Sequence, residues 1–290
     1  MSEIIMSKKL EPFLVDDTSD EMINYIGRFI RFYSTALILQ TLRSDGTEFI
    51  RMIGSGTFVS ISNTFGILSA AHVVENLDKE KSLGRPYFIY LTVKDYNHSY
   101  RISSDYLEPI IIANGKIDSA GPDLGFIVLP NSELETIKAS KNFYNLDKNR
   151  ERILTRPHKF SEGLWAICGV PNEKTIDISE EKLSPHKRFL LFVGLGSIND
   201  MYTDNDYDYY DIKVKHNVSP IIPQTFRGVS GGGLWQIPLK KSREGKIEPE
   251  EHILSGVVFY ETERVGLDRS IKCHGRNSIY DKAYSFITEK

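Results

Sequence analysis

Three short segments of this chain set a titratable or nucleophilic side chain among small residues that leave it reachable. The first is Gly54-Ser55-Gly56-Thr57-Phe58-Val59-Ser60, followed closely by Gly66-Ile67-Leu68-Ser69-Ala70-Ala71-His72-Val73. It puts a histidine at the end of an apolar strand, where an imidazole can serve as general base or acid. The plainer reading is a structural histidine. The second is Asp123-Leu124-Gly125-Phe126-Ile127-Val128-Leu129. A carboxylate opening a wholly apolar strand is costly to bury unless it is hydrogen-bonded, and a histidine Nδ1–H is one partner that would satisfy it. A turn or cap residue after Gly121-Pro122 is the alternative. The third is Phe226-Arg227-Gly228-Val229-Ser230-Gly231-Gly232-Gly233-Leu234-Trp235. Glycines on both sides of a serine let the backbone wrap tightly and aim N–H groups into one space, as an oxyanion hole requires. A Gly-rich loop without chemistry is the alternative.

The elements that must position these residues follow from the change of hydrophobic period. Residues 1 to about 20 read as a loose polar arm. Asp20 is placed to cap a helix from Glu21 to about Tyr33, with Met22, Ile23, Ile26, Phe29, Ile30 and Phe32 on one face. Strands follow at Thr35–Arg43, Glu48–Ile61, Phe65–Ser69, Tyr87–Lys94, Ile110–Ala113 and Asp123–Leu129, with turns at Ser44–Thr47 and Asn63-Thr64. After a short helix at Asn131–Ser140, residues 141–162 are charged and irregular, a linker between halves. Strands resume at Leu164–Val170, Thr175–Ile178, Phe189–Gly194, Tyr207–His216, Gly233–Ile237 and His252–Tyr260. A closing helix spans Ser278–Lys290. Many short strands with Gly-rich turns argue for barrels or a sandwich.

Taken together, the three segments resemble the trypsin-like (chymotrypsin-clan) serine peptidases, in their bacterial or intracellular stand-alone form. Gly66-Ile67-Leu68-Ser69-Ala70-Ala71-His72 is similar to that family's strand-ending Ala-Ala-His segment. Asp123-Leu124-Gly125-Phe126-Ile127 is similar to its Asp-Leu-Ala-hydrophobic-Ile segment, and Gly228-Val229-Ser230-Gly231-Gly232 to its Gly-x-Ser-Gly-Gly segment. The order His, Asp, Ser matches, with spacings of 51 and 107 residues. The resemblance covers about residues 35 to 262. It implies an all-β fold of two six-stranded antiparallel barrels, with an N-terminal extension over 1–34 and a C-terminal helix. The first barrel would span 35–140 and carry His72 and Asp123; the second would span 163–290 and carry Ser230. It also implies a catalytic triad of His72, Asp123 and Ser230, with the N–H groups of Gly228 and Ser230 as oxyanion hole. Leu254–Tyr260 falls where the family aligns its substrate, so Phe259, Tyr260, Glu261 and Gln224 are the expected substrate-binding residues. Phe259 stands where the family usually has Ser and is expected to narrow the side-chain pocket. Glu261 would favour a basic substrate side chain, and neutral Gln224 stands at the family's pocket floor. Val229 replaces the Asp that receives a new N-terminus in zymogen-derived members, so activation by that kind of clip is not expected.

Other chemistries fit less well. Asp268 and His274 follow Ser230 as in an α/β-hydrolase, but only 60 residues remain, too few for the rest of that fold. Asp204-Asn205-Asp206-Tyr207-Asp208 starts like a Ca²⁺ loop, yet Tyr209 stands where Gly is wanted and Lys215 where the closing Glu should be. Histidines 98, 158, 186, 216, 252 and 274 show no metal-ligand spacing, so neither metal nor cofactor is expected. A trypsin-fold interaction module with a silent triad is the alternative from a different class.

Bulk composition bounds the setting. The chain has 290 residues and a net charge of -3, which gives no electrostatic reason to expect nucleic acid or an anionic membrane. A globule of this size buries roughly 75% of its unfolded surface and needs neither disulfides nor metals. Its two cysteines, Cys168 and Cys273, suit a reducing compartment, although a bridge between them is possible. The first 22 residues lack a signal-peptide core and no apolar run spans a membrane, so a cytoplasmic location is expected. Expected partners are a protein or peptide substrate and, by analogy with small defence and stress proteases, an activating or sensor protein.

Overall fold

The computed structural model describes residues 20–42, 46–92, 99–115, 121–155, 163–177, 187–189, 192–215, 223–241, 247–263 and 268–290. The expected polar arm and the far end of the 141–162 segment lie outside the described residues.

Helix α1 (Asp20–Arg31) turns Ile26 and Ile30 fully into the core. Phe29 and Phe32, expected on the same face, are exposed instead, and Phe29 stacks on His252 with ring centroids 3.8 Å apart. Next come β1 (Ser34–Leu42), β2 (Glu48–Ile61), β3 (Thr64–Ser69), β4 (Tyr87–Thr92), β5 (Ser99–Ser103), β6 (Glu108–Asn114) and β7 (Asp123–Val128). They form one antiparallel sheet in the order β5-β4-β1-β2-β3-β7-β6, and the two-residue β8 (Tyr144–Asn145) pairs in parallel with β2. Helix α2 (Ala71–Ser82) leaves β3 directly, and α3 (Asn131–Lys138) follows β7.

The second half contains β9 (Leu164–Gly169), a small hairpin of β10 (Thr175–Asp177) and β11 (Lys187–Phe189), then β12 (Phe192–Gly196), β13 (Ile198–Asp204) and β14 (Tyr207–Lys215). It continues with β15 (Gly233–Ile237), a second hairpin of β16 (Leu239–Lys241) and β17 (Ile247–Pro249), β18 (Ile253–Glu261) and β19 (Asp268–His274). The main sheet runs β12-β9-β15-β18-β19-β14-β13, antiparallel throughout.

The molecule is therefore mostly antiparallel β, with sheets of eight and seven strands where six and six were expected. The unexpected strands have a physical reason. β5 (SYRIS), β13 (INDMYTD) and β19 (DRSIKCH) mix polar and charged residues and lack the apolar alternation that marks a strand in sequence. Conversely, the expected strand at 175–178 joins the small hairpin and not the main sheet.

The 141–162 segment is less irregular than its charge suggested. It contains α4 (Leu146–Thr155), whose Arg150 donates through Nε to the Tyr280 carbonyl at 2.8 Å. Asp147 of α4 accepts the Ser62 N–H and the Tyr284 hydroxyl at 2.6 Å, so the segment buttresses the C-terminus. That C-terminus is a wide helical turn at Ser278–Ala283 followed by α5 (Tyr284–Thr288). Its start is capped by Asp208, which accepts the N–H groups of Ser278 at 2.7 Å and Asn277 at 3.0 Å. The acidic run 204–208 thus serves as hairpin turn and cap, with Asn205 and Asp206 at φ 47° and 68°.

One apolar cluster joins the two sheets: Val59 and Leu68 from the first, Trp235 and Leu254 from the second, with Ile30 and Tyr280 from the flanking helices. A second cluster, around Phe58 and Ile127, is built mainly from the first sheet but also takes in Tyr209 and Phe259 of the second, and a third, around Ile167 and Ile271, lies within the second. Cys168 and Cys273 are both buried and free, so the possible bridge is not formed. Among the described residues no helix is long and apolar enough to cross a membrane.

Candidate active site

His72 is the second residue of α2, and the residue before that helix, Ala70, has no side chain able to cap it. The first N–H groups of a helix need acceptors from elsewhere. Asp123, the first residue of β7, supplies one: its Oδ1 accepts the His72 main-chain N–H at 2.9 Å. The other oxygen, Oδ2, lies 2.6 Å from His72 Nδ1. The carboxylate is therefore a helix cap and an imidazole partner at once, and the helix dipole favours its charge at that end. Asp123 is buried while His72 keeps 28% of its side-chain surface. The aspartate is thus shielded and the imidazole's far edge remains reachable. Gly125 lets α2 come this close to β7, because a Cβ there would sit 2.8 Å from a Val74 methyl.

Ser230 lies on a turn preceding β15, and Ser55 of β2 holds that turn. The Ser55 N–H donates to the Ser230 carbonyl at 2.8 Å, and its hydroxyl donates to the Gly228 carbonyl at 2.7 Å. The same hydroxyl accepts the Val170 N–H at 2.9 Å, and the Ser55 carbonyl accepts the Ser69 hydroxyl at 2.8 Å. Ser55 thereby ties the serine turn to the strand that leads into His72. Neighbouring Gly54 brings the two sides together: a Cβ there would sit 2.6 Å from a Val73 methyl and 2.9 Å from the Ser230 carbonyl oxygen. Gly231 is obligatory on two counts, since its φ of +88° suits only glycine and any Cβ would run into the Ser55 carbonyl and Ser69 hydroxyl.

The turn's amides divide into two sets. Those of Val229, Gly231 and Gly232 donate to Phe226, Val258 and Val229 carbonyls at 2.7–2.9 Å, and that of Arg227 donates to the Thr225 hydroxyl. Those of Gly228 and Ser230 have no acceptor among the described residues. The Asn172 N–H binds the Arg227 carbonyl at 2.7 Å, and in a planar trans peptide this turns the Gly228 N–H the opposite way. The Ser230 hydroxyl and His72 Nε2 likewise make no hydrogen bond to a described residue. Such contacts commonly tighten only when substrate binds.

The expected substrate-binding residues fare differently. Phe259 is buried, with its ring 4.7 Å from that of His274 and 5.9 Å from that of Tyr209. Its ring packs on the His274 side of Asp123. Glu261 is consumed internally: it accepts the Thr225 hydroxyl at 3.1 Å and the Phe226 N–H at 3.0 Å, and it pairs with Arg269. Its charge is neutralised, so it offers no free anion to a basic substrate. Gln224 is exposed, with its main-chain N–H on Glu173 at 2.8 Å and its carbonyl on Arg269 at 3.0 Å. Tyr260 is partly buried against the cluster around Phe58.

Two residues of the site have roles that the sequence pattern does not announce: Ser55 as a clamp, and His274, whose Nε2 accepts the Asp123 N–H at 2.9 Å. The only sequence signal for Ser55 was the Gly-Ser-Gly context on an apolar strand. Models of known protein families give no match to this chain, and neither do curated proteins.

Proposed function

We propose that this chain is a serine endopeptidase of the trypsin-like kind, working through His72, Asp123 and Ser230. The observation that carries the reading is the double hold of Asp123 on His72, through main-chain N–H and Nδ1, beside a serine turn with two unengaged amides. Ser230 Oγ attacks the substrate carbonyl while His72 Nε2 takes its proton. His72 then passes that proton to the leaving amine, and water hydrolyses the acyl-enzyme by the same steps in reverse. Asp123 fixes the tautomer with Nδ1–H and stabilises the imidazolium. The Gly228 and Ser230 amides meet the oxyanion, each such donor contributing about 3 kcal/mol to the transition state.

Closure of each sheet into a barrel belongs to this proposal, supported by one apolar cluster drawn mainly from the first sheet and another lying within the second. A reducing, cytoplasmic setting fits two free, buried thiols. Among the described residues neither the Ser230 hydroxyl nor His72 Nε2 has a hydrogen-bond partner, which favours a latent form that a protein partner or the substrate itself completes. The same observation is the one that speaks for a silent interaction module.

The test is incubation of the purified chain with an unfolded, fluorophore-quenched protein, with cut sites read by mass spectrometry. Cleavage that vanishes in Ser230→Ala and in His72→Ala is expected. Stoichiometric binding of the unfolded protein without any cut, with or without cell extract, would favour the module.

A further inference from the structure

A second histidine stands directly behind the dyad. His274 ends β19, lies across from Tyr209 of β14 and Val257 of β18, and is fully buried. The rings of Phe259, Tyr209 and Tyr207 surround it at 4.7, 5.2 and 5.8 Å. Its Nε2 accepts the main-chain N–H of Asp123 at 2.9 Å, linking the first residue of β7 in one sheet to the last residue of β19 in the other. A ring nitrogen can accept only when it carries no proton, so His274 is the neutral Nδ1–H tautomer. Its Nδ1 has no partner among the described residues, which costs stability that an apolar side chain in the same cage would not. What histidine adds there is one acceptor aimed at Asp123.

We propose that His274 is a positioning residue for Asp123: its neutral imidazole fixes the aspartate's main chain, and so holds the carboxylate against His72. The role rests on the peptidase reading of Asp123. Without the acceptor, the Asp123 N–H would be a buried donor with nothing to bind, and the start of β7 would shift to satisfy it. The carboxylate, committed to two bonds with His72, cannot follow such a shift and keep both. The charged groups acting on the ring are Asp123 from β7 and Asp208 from β14, and Tyr207 and Tyr209 contribute phenols; Phe259 from β18 is apolar. Burial outweighs both carboxylates and holds the imidazole pKa down to about 4, so the ring is neutral in the working range.

The test uses the whole chain, ¹⁵N-labelled, at neutral pH. In the wild type, NMR should show His274 as the Nδ1–H tautomer and a scalar coupling between Asp123 N and His274 Nε2 across the hydrogen bond. His274→Phe should shift the His72 Nδ1 proton resonance and slow fluorophosphonate labelling at least about tenfold. His274→Gln, which restores an acceptor of the same reach, should keep the resonance and stay within about threefold of the wild-type rate. A protonated His274 Nε2, or a folded His274→Phe with unchanged resonance and rate, would overturn the proposal. Should His274→Phe not fold, the wild-type tautomer and coupling decide in the same way. If the wild type takes no label even with substrate or cell extract present, the peptidase reading fails, while the His72 resonance still judges the positioning role by itself.

Discussion

Ser55 donates both its main-chain N–H and its hydroxyl to the turn that carries Ser230, at 2.8 Å to the Ser230 carbonyl and 2.7 Å to the Gly228 carbonyl. Strand β2, paired with the strand that leads into the histidine helix, therefore sets the shape of the serine turn. Because Ser55 is wholly buried, these bonds face no competition from water.

Ser55→Ala keeps the main-chain bond and removes both hydroxyl bonds. The Val170 N–H and the Gly228 carbonyl then lose partners, for a stability loss on the order of 1–3 kcal/mol. The labelling rate of Ser230 should fall about tenfold as the Gly228 and Ser230 amides lose their orientation. Urea denaturation and labelling kinetics check the two effects, and a variant unchanged in both would remove Ser55 from the account.

Asp123→Asn should leave the fold intact, since an amide oxygen can still accept the His72 N–H that starts α2. It removes the charge that stabilises the imidazolium and unsettles the tautomer. A fall in peptidase rate of roughly 10⁴ is expected, with unchanged far-UV circular dichroism. A rate within tenfold of wild type would show that Asp123 is a helix cap and no more.

Glu261 joins Arg269 to the segment before the serine turn through Thr225 and Phe226, and is expected to serve there as a strut. Their side chains are only 18% and 15% exposed, so solvent screens the pair little. A double-mutant cycle with Glu261→Gln and Arg269→Gln should give a coupling above about 1 kcal/mol in stability. Gln224→Ala, at an exposed position, should change stability by less than about 0.5 kcal/mol and leave cut-site preference as it was. A coupling near zero together with a loss of preference for basic residues in Glu261→Gln would reverse this assignment.

Acid should destabilise the protein through His274. Burial holds its pKa down to about 4 in the folded chain, against about 6.5 unfolded. Between these values the unfolded state binds more protons. The neutral ring's contribution is thus full above pH ~6.5 and is lost as pH falls toward ~4. The loss is on the order of 3 kcal/mol. His252, likewise held down to about 4 but only half-buried, adds a smaller share in the same direction. Urea midpoints at neutral and acid pH should drop further in wild type than in His274→Gln; equal drops would contradict the assignment.

Much of the site was legible because two of its segments are locally self-explanatory. β2 and β15 occupy the very ranges their apolar patterns predict, and an Asp opening an apolar strand demands a hydrogen-bonding partner. Other parts depend on distant residues. Helix α2 has the apolar spacing Val73, Val74, Leu77, but Ala70 gives no start signal because the capping carboxylate comes from Asp123, 51 positions after His72. Glu261 reads as a free anion until β19 brings Arg269 beside it. His274 reads as one more histidine because its cage and its bond to Asp123 form only when β14, β18 and β7 come together.

The central claim is an assembled serine nucleophile, and fluorophosphonate labelling read by intact mass tests it most directly. One adduct per chain on Ser230 is expected, absent from Ser230→Ala and His72→Ala and formed far more slowly in Asp123→Asn. Absence of an adduct on wild type at every pH and salt, with substrate or cell extract present, or equal labelling of Ser230→Ala, would contradict it.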